Sequence, residues 1–280
     1  MANLQSLKKR LKSINSTGEM AKAMKTVATV KYSRTSKALN EFKAYSDACG
    51  EALGILGNSG FARECETVAD KNCYVLLSSN RGFCGAFNGE LFRMFSEDLA
   101  SENTAPMVIA FGKKAQRFCQ EKNISADFRE MNDVPQYSEA ETLTNELLNL
   151  YRRGEVRNVY IVSQHFTNMM IQTPCRQQLL PVETTSSGNA AEANLLFLPD
   201  KQTAGLTPAL YGLVGTVYGS MLSHAAALQA ASLIAMRNAC DNADESSAKL
   251  DLMIKRTRQM SITNSVIETS SGMAMQFMES

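Results

Sequence analysis

From Leu4 the apolar and small positions step by threes and fours: Leu4, Leu7, Leu11, Ile14, Gly18, Ala21, then Lys25, Ala28, Tyr32, Thr35, Leu39, Phe42, Ser46, Cys49, Leu53 and Leu56. That spacing keeps one face of a helix against a partner, a heptad seam. No proline interrupts it, and the first breakers are Gly57-Asn58-Ser59-Gly60. The pattern predicts a helix over residues 1–57, roughly 80 Å long at 1.5 Å per residue. Such a helix outgrows any small core and needs a sister helix. Residues 207–280 supply the candidate: past Pro208 there is neither a proline nor a turn-forming run, which predicts a second helix of roughly 105 Å. Its seam reads Leu233, Met236, Cys240, Ala243, Ser247, Leu250, Ile254, Thr257, Ser261, Asn264. The seam fades from large apolar to small polar residues, so the last turns are expected to sit within something that contacts them on several sides.

Between the helices, residues 70–200 change period. Cys73–Ser78, Met107–Gly112 and Val156–Ser163 are short β-rich apolar runs, separated or followed by helical patterns at Asn88–Ser101, Lys113–Lys122 and Ser138–Arg153. Ser138 with Glu141 reads as a capping box for the last of these. Alternating strands and helices predict a doubly wound, parallel α/β sheet of Rossmann-like type. Met169–Val182 and Leu195–Leu198 are candidate edge strands, with a polar loop over Ser186–Asn194. The fold class expected is therefore α/β: an antiparallel coiled coil of the terminal helices, 1–57 and 207–280, around a central domain at 70–200.

Residues 202–236 carry no Lys, Arg, Asp or Glu, enough length for a membrane span. Thr216, Ser220, Ser223, His224, Gln229 and Ser232 make the stretch too polar for lipid, and no basic cluster flanks it on one side. Small residues at every fourth position, Gly215, Gly219, Ser223, Ala227, Ala231 and Ala235, instead mark close helix packing.

Charge sharpens the picture. The whole chain is +1, but residues 1–43 hold ten Lys or Arg against two Glu, a local +8 that leaves −7 for the rest. Lys8, Lys9, Arg10, Lys12, Lys22, Lys25, Lys31, Arg34 and Lys37 make the first helix basic. The face is either solvated or set against an acidic protein; it lacks the aromatic interleaving of a nucleic-acid surface. Lys255-Arg256-Thr257-Arg258 points cations in several directions, so at least one should meet a separate partner. Basic, Ser-containing residues 1–18 also have the look of a transit peptide, but the same stripe continues past any cleavage point, and no secretory h-region follows. The seven cysteines are never closer than eight residues, which gives no zinc spacing and points to reduced thiols in a cytosol-like compartment.

Candidate chemistry is sparse. Asn80-Arg81-Gly82-Phe83-Cys84-Gly85-Ala86-Phe87-Asn88 lies where a phosphate loop would sit, yet it matches neither nucleotide fingerprint and reads as a tight turn needing its glycines. Cys84 would need His165 or His224 as its base, these being the two histidines. No catalytic set, cofactor site or metal site is expected.

Four segments carry a resemblance that covers nearly the whole chain. Leu11-Lys12-Ser13-Ile14-Asn15-Ser16-Thr17 with Ala21–Ala28, Ser78–Gly85, Ala235–Ala243 and Thr257–Thr263 are similar to motifs of the gamma subunit of F-type ATP synthases. The resemblance implies a non-catalytic rotor shaft that couples ion-driven rotation to ATP synthesis on the beta subunits. It implies the alpha and beta subunits of the catalytic ring, the epsilon subunit and the membrane c-ring as partners. Nucleic acid and a direct membrane span are not expected. By position, Arg258 and Gln259 match residues that meet a beta-subunit loop, while Lys22, Met24 and Lys25 match the region facing an acidic beta-subunit segment. Gly18-Glu19-Met20-Ala21 departs from the usual Gln-Lys-Ile-Thr, and a chloroplast-type redox loop is not expected. The implied location is peripheral, on the cytoplasmic face of a bacterial cell membrane, with the mitochondrial matrix side as second choice. The alternative is a coiled-coil scaffold with a degenerate nucleotide-binding domain.

Overall fold

A computed structural model describes residues 4–56, 69–102, 104–182 and 201–278, with side chains over 4–49, 69–102, 104–182 and 209–271. The breakers at 57–60, Cys65, the loop over 186–194 and the strand expected at 195–198 lie outside the described residues, as do the Leu53 and Leu56 side chains. The elements run α1 (Leu4–Leu56), β1 (Cys73–Leu77), α2 (Phe87–Ala100), β2 (Met107–Phe111), α3 (Lys113–Glu121), β3 (Ala126–Arg129), α4 (Tyr137–Arg152), β4 (Val159–Phe166), β5 (Gln172–Leu180) and α5 (Lys201–Met278). Two compact units result: Met1–Val27 with Ala235–Ser280, and Ala28–Ile234.

In the larger unit the described strands form one sheet in the order β3-β2-β1-β4-β5. β3, β2, β1 and β4 are parallel, as the alternating pattern predicts, and β5 runs antiparallel to β4. The sheet is therefore mixed, not wholly parallel. The short turn at 167–171 permits a hairpin where a crossover would need a helix. β3 carries no signal in the sequence: Ala126-Asp127-Phe128-Arg129 is an edge segment with only intermediate or exposed positions, so no apolar run marks it.

Strand alternation splits the core. Cys73, Val75 and Leu77 face α4 (Leu143, Leu147, Tyr151) and α5 (Leu213, Val217, Met221). Tyr74 and Leu76 face α2 (Leu91, Phe95) and α3 (Ala115, Cys119). The charge-free stretch of α5 is thus core: one side lies on the sheet, while Gly215 and Gly219 meet Cys49, Ser46 and Phe42 of α1. A helix covered on opposite sides has no place for charge, and no described helix is long and apolar enough to cross a membrane. Tyr218 locks the contact, its ring edge-on to Phe42 at 4.7 Å and to Tyr137 at 5.4 Å.

Helix starts differ from expectation in one place. The capping box of α4 is Gln136 with Glu139, not Ser138 with Glu141. The Gln136 backbone N–H donates to Glu139 Oε2 at 3.2 Å, and Ser138 already lies inside the first turn. α3 is capped from another strand: the Ala115 N–H donates to Ser78 Oγ, which itself donates to the Phe111 carbonyl, each at 2.8 Å.

The smaller unit pairs α1 and α5 antiparallel. Ser247 Oγ donates to Asn15 Oδ1 at 2.9 Å, and a Cβ on Gly18 would stand 3.2 Å from Ala243 Cβ. The departure at Gly18 therefore has a packing reason, since a longer residue there would push the helices apart.

Candidate functional site

All five residues expected to meet partners fall in the smaller unit. Lys22, Lys25, Arg258 and Gln259 are exposed and Met24 is half-buried. Lys22 Nζ pairs with Asp244 Oδ1 at 3.5 Å across the helix pair, with both side chains more than half exposed. At this point the sequence seam shifts by one residue, because Met24 and not Lys25 turns toward the partner, between buried Ala21 and Ala28. Spacing alone places Lys25 on the seam; its exposed position keeps the ammonium in water, where no desolvation cost is met.

The α5 seam stays buried at Met236, Cys240 and Leu250, is half-buried at Ile254 and Thr257, and is exposed at Ser261 and Asn264. Here the described part of the sister helix ends. Asn15 lies opposite Ser247; eleven residues back is Leu4, where α1 starts, and eleven residues on is Arg258. Arg258 and Gln259 thus stand where α5 emerges from its partner. Their neighbours Met260 and Ile262 are 60% and 55% exposed, as are Val266 at 63% and Ile267 at 59%. Residues two apart, such as Met260 and Ile262, do not share a helix face, so this apolar surface wraps the helix instead of forming one stripe. Seam spacing does not single out these four, nor exposed Met20, Val27, Leu252 and Met253. Their signal in the sequence is that of large apolar residues off the heptad seam.

The loop after β1 is organised around itself. The Ser79 N–H donates to Asn88 Oδ1, and Asn88 Nδ2 donates to Ser79 Oγ and to Cys84 Sγ. Gly85 adopts φ +60° as a tight turn requires, but the other left-handed position is Phe83 at φ +64°, not Gly82. Burial pushes the Cys84 thiol up, against the opposing effect of its hydrogen bonds from Ser79 and Asn88, which disfavours the thiolate a nucleophile needs. His224 is fully buried and burial pushes it down to about 3; its Nδ1 accepts the Gln164 N–H at 3.1 Å.

A family model described as ATP synthase matches residues 3–275. The ATP synthase gamma chain of Desulforamulus reducens is 31% identical, covering 98% of this chain and 99% of that one. The gamma chain of Pelotomaculum thermopropionicum is 29% identical with the same coverage. The chain belongs to the ATP synthase gamma chain family. Its role in ATP synthesis is that of the rotor shaft, coupling ion transport to rotation, and the scaffold alternative is set aside. Its fold is that of a chain in the Euglena gracilis mitochondrial ATP synthase OSCP/F1/c-ring structure, with a TM-score of 0.70 over 97% of this chain and 93% of that one at 17% identity. A chain of the Euglena rotor structure gives 0.67 over 92% and 98% at 18% identity.

Proposed function

We propose that the smaller unit of this gamma-chain protein is the part that turns inside a ring of alpha and beta subunits, while the sheet-bearing unit binds the epsilon subunit and the membrane c-ring. The observation that carries this reading is the bare stretch of α5 past Thr257, where Met260, Ile262, Val266 and Ile267 are exposed on more than one side of the helix. Large apolar surface of this kind marks a covered interface, and a surrounding sleeve covers several sides at once. Arg258 and Gln259 engage a beta-subunit loop, and Lys22, Met24 and Lys25 face an acidic beta-subunit segment. Torque arises because these contacts differ among ring conformations; a contact equal in all of them would bias no rotor angle.

The chain is a non-catalytic subunit peripheral to the membrane. The side is the cytoplasmic face of a bacterial membrane, a reading supported by the bacterial gamma chains it matches at 29% and 31% identity. Co-expression with alpha and beta subunits tests the assignment. One complex containing all three, with ATPase activity that the purified chain lacks, is expected. ATP turnover by the chain alone, scaling with its concentration, would overturn the non-catalytic reading; failure to enter the complex would overturn the placement in the ring.

A further inference from the structure

β4 is longer than its neighbour. It pairs with β1 from Val159 to Val162, where that pairing stops one residue short of the end of β1 at Leu77, yet it continues beside β5 to Phe166. Backbone donors on the open side must find other partners. They find them on α5: the Gln164 N–H donates to His224 Nδ1 at 3.1 Å, and the Phe166 N–H donates to Ser223 Oγ at 2.9 Å. Two consecutive helix side chains thus replace the missing strand. Pro174, which has no N–H, lies opposite Gln164 in β5, consistent with the Gln164 donor turning away from that strand.

The surroundings hold this junction in a dry setting. Gln164 Nε2 donates to the Phe87 carbonyl at 2.8 Å, and the Phe87 ring stands 5.2 Å from the imidazole. Cys84, Phe87 and Ala227 pack together with Phe166, and Tyr32 of α1 lies 6.1 Å from the Phe166 ring. At the junction itself the titratable side chains are the Cys84 thiol and the Tyr32 phenol, with the exposed His165 next to Gln164 in β4; Lys114 of α3 acts on Cys84, and burial alone acts on His224. Because Nδ1 is an acceptor here, the imidazole is neutral with its proton on Nε2. A second proton would turn Nδ1 into a donor facing the Gln164 donor and would bury a charge without a counter-ion.

We propose that the His224–Gln164 and Ser223–Phe166 bonds form a proton-sensitive joint that keys α5 to the sheet, and that torque passes through it. The torque role rests on the rotor reading; the joint itself does not. When it opens, His224 reaches water and titrates near its ordinary 6.5. Acid therefore favours opening, about tenfold per pH unit below that value.

Amide hydrogen exchange of the full chain reads the joint directly. Between pH 6.5 and 4 the protection factor at Gln164 should fall about tenfold per unit in the wild type, while that of Ile109 in β2 changes less. His224→Asn keeps an acceptor near Nδ1 without a titrating group and should remove this extra pH dependence. His224→Leu should lose protection at Gln164 at every pH. The proposal fails if His224→Asn tracks the wild type, if His224→Leu stays protected, or if Ile109 falls in step with Gln164. For torque, proton pumping per ATP hydrolysed in the assembled complex should drop in His224→Leu and recover in His224→Asn. Full pumping in His224→Leu would refute the torque role with the rotor reading intact, whereas a wild-type chain that never assembles would count against the rotor reading alone.

Discussion

Gly215 of α5 faces Cys49 of α1 so closely that a Cβ on the glycine would lie 2.7 Å from Cys49 Sγ and 3.1 Å from its Cβ. The ring of Tyr45 closes a third side at 3.3 Å. Gly215→Ala should therefore destabilise the larger unit by about 1–3 kcal/mol, the usual cost of overpacking, although alanine is the better helix former. Cys49→Gly should recover part of the loss in the double variant, seen as non-additive shifts in the denaturation midpoint. Additive effects would mean that Cys49 is not what limits the approach.

That contact shows how much the sequence discloses. The ladder from Gly215 to Ala235 announces a close helix pair, and the contacts of Gly215 and Gly219 on α1 are that pair. Long seams reveal themselves because every turn repeats the message. β3 and the antiparallel β5 are less legible: an edge strand needs no apolar alternation, and strand direction depends on the length of a connection that the apolar pattern does not encode. The candidate interface is half visible. Resemblance supplies Arg258 and Gln259, but the end of cover at that point depends on register, fixed by pairs such as Asn15 with Ser247. Met24 and Lys25 exchange places because spacing cannot weigh the cost of burying an ammonium.

Arg176 and Asp98 give a pH-dependent expectation. Arg176 Nη1 donates to Asp98 Oδ1 at 2.7 Å and its guanidinium lies 5.2 Å from the Tyr160 ring centroid. Burial pushes the Asp98 carboxyl up, Arg176 opposes it, and Oδ2 is buried without a hydrogen-bond partner. Arg176→Met should cost about 1–3 kcal/mol at neutral pH by leaving a mostly buried carboxylate unpaired. With Asp98 titrating higher in the folded variant than in the unfolded chain, the folded form binds the extra proton, so stability should recover as pH falls. Urea denaturation at neutral and mildly acid pH measures the gap. A gap that does not narrow would mean that Arg176 acts through its packing on Tyr160.

Arg258 and Gln259 are exposed where α5 outruns α1, so replacing both by Ala should change the stability of the isolated chain by less than about 0.5 kcal/mol. In the assembled complex the same change removes hydrogen bonds worth about 1–3 kcal/mol each when they reach a charged partner. ATPase turnover should fall while assembly holds. Wild-type turnover would show that this surface is idle.

Lys22 and Lys25 are three residues apart, on neighbouring positions of α1, and Lys22 already pairs with Asp244. Changing both to glutamate alters the local charge by four units and sets a carboxylate against Asp244 in place of the Lys22 ammonium. At such exposed positions each altered pair is worth only about 0.2–1 kcal/mol, so the complex should assemble with impaired rate or coupling. Two controls separate the sources of a defect. Adding Asp244→Lys restores an internal pair with reversed sign; it should mend a defect that comes from the helix pair and leave one that comes from an acidic beta-subunit segment. Salt gives the second control: the Debye length falls from about 30 Å at 0.01 M to about 8 Å at 0.15 M, so a defect caused by repulsion across the interface should shrink as ionic strength rises. A salt-independent defect, or none at low salt, would mean that the basic face of α1 is solvated and that torque passes elsewhere.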